Sequence, residues 1–151
     1  MLHWIWLLWL RGGEIATLAI CLWALWRGGT PERIGALIIL VGWALTDLLS
    51  PPNQGPGPWS IVVDIAALIA FAWLALWSRR PWTYFAAACQ LNGVFSHFAH
   101  KFTTFGLYSY ATTIALWSGY GLIICLAGGM IARRRDKKQQ LSTGQNEILR
   151  S

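Results

Sequence analysis

Apolar blocks approaching twenty residues each, separated by short breaks rich in proline, glycine and arginine, leave this chain few ways to fold. A hydrocarbon core of ~30 Å takes about 20 apolar residues per helix. Within it every backbone N–H and C=O must be bonded internally, which a helix achieves by itself. The sharpest break is Ser50-Pro-Pro-Asn-Gln-Gly-Pro-Gly-Pro58, where four prolines in nine residues exclude helix and no residue is charged. At Arg27-Gly-Gly-Thr-Pro-Glu-Arg33, Gly28 and Gly29 end one helix. Thr30 is a natural N-cap for the next, with Pro31 at its first position. Ser78-Arg-Arg-Pro81 and residues 101–106 supply two further connections. This punctuation predicts an all-α membrane protein, a five-helix transmembrane bundle with helices at about 6–26, 32–49, 59–77, 81–100 and 107–131. Residues 1–132 form that single bundle. Residues 133–151, basic and then polar without apolar periodicity, read as a mostly disordered cytoplasmic tail.

Composition agrees. The chain is 56% hydrophobic and 12% charged, against about 25% charged in a typical soluble domain. The net charge of +6 does not point to nucleic acid, because the basic residues sit at segment ends and in the tail, with no aromatic-basic surface for bases to stack on. Cys21, Cys89 and Cys125 all lie inside apolar segments, where cysteine is a small buried hydrophobe, and no CxxC spacing occurs. Residues 1–10 lack a basic start and no small-x-small site follows, so no cleaved leader is expected.

Positive charge sets an orientation. Arg27 and Arg33, Arg79 and Arg80, and Arg133, Arg134, Arg135, Lys137 and Lys138 fall on alternate connections and the tail, whereas the intervening loops hold only Lys101. Five helices with the N-terminus outside and the C-terminus cytoplasmic satisfy all of these. The same orientation gathers Asp47, Asp64, His97, His100, His3 and Glu14 toward the outer leaflet, with Gln90 nearer mid-depth.

The stretch at 90–101 is the focus of that gathering. Gln90, Gly93, His97 and His100 share one helix face at offsets of three, seven and ten. Glu14, Thr17, Cys21 and Ala24 form a second stripe on the first helix. Ionisable groups inside a membrane cost roughly 2.5 to 3.5 kcal/mol on insertion scales, which makes each one a functional candidate. The plain alternatives are that Asp47 and His100 are helix-end residues in water, that Asp64 and His97 only lock two helices together, and that Glu14 pairs with Arg11. Sharper readings also exist. His97 and His100 could ligate a metal completed by Asp64, Asp47 or His3. Asp64, His97 and Gln90 could line a proton or ion path. Haem would need His3 as its second axial ligand, since His97 and His100 cannot both serve one haem. No cofactor is required by the sequence, and with no GxSxG, P-loop or similar signature an enzyme is not expected.

On Trp-Arg-Gly-Gly-Thr-Pro-Glu-Arg at 26–33, Val-Asp-Ile at 63–65 and the residues from Gln90 to His97, the layout resembles small polytopic bacterial inner-membrane proteins with no assigned activity. The resemblance implies a multi-pass inner-membrane location and carries no residue roles. Small-residue faces at Gly35 and Gly42, at Ala66 and Ala70, and at Ala111, Ala115 and Gly119 suit close helix packing. The leading expectation is an accessory, assembly or interaction subunit of a larger membrane system, partnered by lipid and by another membrane protein or itself. The alternative is a small transporter or ion-binding protein using the outer Asp/His cluster.

Overall fold

A computed structural model describes the backbone of residues 2–49, 58–102, 113 and 115–148, and the side chains of 12–49, 59–98, 113, 116–143 and 145. Five helices are formed among the described residues: α1 (Leu2–Arg27), α2 (Thr30–Leu49), α3 (Pro58–Ser78), α4 (Pro81–Phe102) and α5 (Leu122–Ile148), the last preceded by a π-helical segment, Ala115–Gly121. Each helix packs on its neighbour in sequence, most extensively α3 on α4, and α5 closes the bundle against α1 and α2. Two spans, Trp59–Ser78 and Leu116–Thr143, are long and apolar enough to cross a membrane. In α2 the apolar run is diluted by Glu32, Arg33 and Asp47, and in α4 by Gln90, Asn92, Ser96 and His97.

The helix boundaries depart from the sequence expectations in informative ways. α1 begins at Leu2 rather than near Trp6. Helix α2 begins at Thr30, so the cap is Gly29 rather than Thr30: the Gly29 N–H donates to the Glu32 carboxylate at 2.9 Å, which is half of a capping box. The segment expected to be a disordered tail from residue 133 continues α5 to Ile148. Arg, Lys and Gln are good helix formers, and no proline or glycine intervenes between Ile131 and Thr143. The expected start of the fifth helix near Leu107 lies outside the described residues.

Cys21, Ala24, Phe71, Leu74, Ala86 and Leu126 form the heart of the core and are wholly buried. Trp82 is wedged between helices where Gly35 and Gly129 leave room: a Cβ on Gly35 would sit 2.7 Å from the indole, and one on Gly129 2.5 Å from it. Gly42 does not share this role, because a Cβ there would meet only Val63, at 4.0 Å. Ala66 is exposed and Ala70 half-buried, so that pair is no tight helix contact. The turn between α3 and α4 carries Arg79 at φ 51°, a left-handed position at the C-terminal end of α3.

Outside the core the usual polarity is reversed. Leu48, Trp26 and Leu76 are 81%, 78% and 73% exposed, while Glu32, Thr83, Gln90 and His97 are buried.

Candidate functional site

Helices α3 and α4 are joined by polar contacts at the end of the bundle away from the arginine-bearing turns. Asp64, on α3, accepts through Oδ2 from His97 Nε2 of α4 at 2.7 Å. Its other oxygen, Oδ1, accepts from Gln90 Nε2 at 2.9 Å, and the same amide nitrogen reaches the Asp64 backbone carbonyl at 3.2 Å. Both of those partners are acceptors only, so the amide nitrogen must face them and the amide oxygen must face away. Gln90 Oε1 is consequently buried with no protein partner among the described residues. Gln90 and His97 are brought together by their spacing of seven on α4, which returns to the same helix face after two turns.

This network forms part of the wall of a cavity of about 380 Å³. Helix α1 contributes Glu14 and Thr17, α2 contributes Gly42, Trp43 and Thr46, and the π segment contributes Ser118 and Tyr120. Ile38, Ile39, Phe71, Leu122 and Ile123 make an apolar part of the lining. Every helix of the bundle therefore reaches the cavity, directly or through the π segment that leads into α5.

The π segment accounts for two residues the sequence reading missed. A π turn holds more residues than an α turn and so rotates the following side chains off the 3.6-residue register. Gly119 and Gly121 lie within it, and glycine is where α-helical geometry is held most weakly. Ser118 fits against α4 only because Gly93 has no side chain; a Cβ there would run into the Ser118 hydroxyl. Ser118 Oγ is buried without a protein partner among the described residues. A cluster of Ser, Gly and Tyr inside an apolar helix was the available signal, although α-helical periodicity gave no reason to place it on this cavity.

The structure sorts the sequence candidates. Asp64, His97 and Gln90 are in direct contact, and Glu14 shares the cavity with them. Asp47 is exposed near the end of α2 and does not line it. The side chains of His3, Arg11 and His100 lie outside the described residues, and with them the Arg11–Glu14 pair and the His97–His100 metal pair. Among the described residues no three His, Cys, Asp or Glu side chains come together as a metal set. The arginine end holds a second polar contact, between the start of α2 and the segment expected to be tail. Glu32, wholly buried on α2, accepts from Arg133 of α5 at 3.2 Å.

Comparison with protein-family models, with curated proteins and with solved structures returns no match.

Proposed function

We propose that this chain is a multi-pass protein of a bacterial inner membrane, with five spanning helices and its C-terminus cytoplasmic, that binds a small solute between those helices as a carrier or ion-binding protein does. The observation that carries the reading is the coincidence of the Asp64–His97–Gln90 network with a cavity reached by all five helices. A pair whose only task was to lock α3 to α4 would need no cavity beside it. Volumes of about 300 to 1,000 Å³ are usual for small-molecule sites, and this one falls inside that range.

Membrane residence is supported by the inverted polarity of the bundle, with large apolar side chains outward and polar ones inward. The arginine end fits a headgroup boundary: Arg134 lies over Trp23 at 4.6 Å and Arg27 over Trp26 at 5.6 Å. With that end cytoplasmic, the cavity belongs to the outer half of the membrane.

Native mass spectrometry on protein gently extracted from its own membrane tests the proposal. The expected result is a small-molecule mass on the wild-type protein that is lost in Asp64→Asn while the variant remains folded in the membrane. A larger membrane protein co-purifying with no small-molecule mass on either form would overturn it in favour of an accessory subunit.

A further inference from the structure

We propose that the cavity takes a small organic ammonium ion with an apolar body, an inference that rests on the solute-binding reading and names its ligand class. Several of the polar groups on the wall are committed as acceptors. Gln90 has spent its N–H donors on Asp64 and offers Oε1, which is buried in a residue only 1% exposed. Thr17 and Thr46 donate their hydroxyl hydrogens to the Gly13 and Gly42 carbonyls, at 2.8 and 2.9 Å, so their oxygens can only accept. Asp64 and Glu14 add carboxylates, and among the described residues no Lys or Arg lines the space. Two carboxylates with no lysine or arginine beside them disfavour an anion, and a neutral alcohol has a single hydrogen to donate where several acceptors are offered. An ammonium ion, with three N–H donors, can satisfy the orphaned Gln90 oxygen and reach the neighbouring Asp64 carboxylate at once.

Size and surface argue for an organic ion rather than a bare one. A desolvated metal ion would fill a small part of 380 Å³ and leave Ile39, Phe71 and Ile123 facing empty space. Phe71, Trp43 and Tyr120 present aromatic rings, which attract cations through their faces. The ammonium belongs at Gln90 and Asp64, and the apolar body against Phe71 and Ile123.

The same chemistry is offered by a free amine and by the ethanolamine head of a phospholipid, and the test separates them. Full-length protein in phosphatidylglycerol nanodiscs is equilibrated with labelled phenethylammonium, 3-phenylpropanoate or 3-phenylpropanol, which share a phenyl body and differ in the head. Phenethylammonium is expected to bind saturably and the other two not. Its affinity is expected to fall about tenfold or more in Asp64→Asn and in Gln90→Met, the second being close in shape and uncharged in both forms. Ethanolamine phospholipid added to the discs competes if the natural source is lipid, and leaves binding unchanged if it is a free amine; either supports the class. Equal binding of the propanoate or the propanol would overturn the ammonium assignment and leave the solute cavity standing. Absence of phenethylammonium binding would also overturn it. In that case the mass spectrum of the extracted protein decides separately whether the cavity holds some other solute.

Discussion

Glu32 and Arg133, 101 positions apart, meet at 3.2 Å with the Glu32 carboxylate wholly buried, and the same oxygen receives the N–H of Gly29. One side chain thus starts α2 and ties it to α5. Its second oxygen has no protein partner among the described residues, so the group depends on the contacts it does make. Glu32→Ala is expected to cost about 2 to 3 kcal/mol, somewhat below a fully buried pair because Arg133 stays partly in solvent. Glu32→Gln, which keeps an acceptor for Gly29, should cost less. Thermal unfolding in detergent ranks the two, and equal losses would contradict the capping role.

Two glycines in one helix are expected to behave oppositely. Gly35→Ala drives a methyl into the Trp82 ring and should cost about 1 to 3 kcal/mol. Gly42→Ala meets open space apart from Val63 and should be neutral or stabilising by up to about 1 kcal/mol. Melting temperatures of the two variants check this directly, and matching losses would mean that Gly42 also packs closely.

Arg79 holds a left-handed backbone conformation, φ 51°, between α3 and α4. A side chain there costs roughly 1 to 2 kcal/mol against glycine's freedom, part of which glycine gives back as chain entropy on folding. Arg79→Gly is therefore expected to stabilise by about 0.5 to 1 kcal/mol. Arg79→Val should destabilise, and a higher melting temperature for the valine variant would contradict the assignment.

How far these features were legible in the sequence varied with their kind. Asp64, Gln90 and His97 stood out because polar residues in apolar helices are costly, and helical spacing placed Gln90 and His97 on one face. The stripe from Glu14 through Thr17 to Cys21 and Ala24 was legible for the same reason: its first two members line the cavity and its last two are core. Ser118 and Tyr120 were not, since a π turn breaks the register on which such reasoning depends. The tie from Glu32 to Arg133 was not legible, because nothing local to a helix start announces a partner 101 residues away. Small-residue spacing misled at Ala66 and Ala70, because it identifies a face without saying whether that face meets a helix or the surroundings. The extension of α5 beyond Ile131 was missed because a polar helix carries no apolar stripe to detect.

Locking and binding make different demands on Asp64 and His97. His97→Leu alone leaves the Asp64 carboxylate short of a partner in a half-buried place and should cost about 1 to 3 kcal/mol. Adding Asp64→Leu removes both polar groups and should recover most of that loss, as replacement of a buried pair by apolar residues often does. The double variant is then expected to be folded and to bind no solute. Failure to recover stability would return the pair to a purely structural role.

The most direct test of the central claim is to fill the cavity without touching its polar groups. Ala67 lines it from α3, and Ala67→Phe adds a ring where space already exists. Native mass spectrometry of this variant beside the wild type is expected to show the solute only on the wild type, with the variant melting at or above the wild-type temperature. An Ala67→Phe protein that retains the same bound mass would contradict the claim that this cavity is where the solute sits.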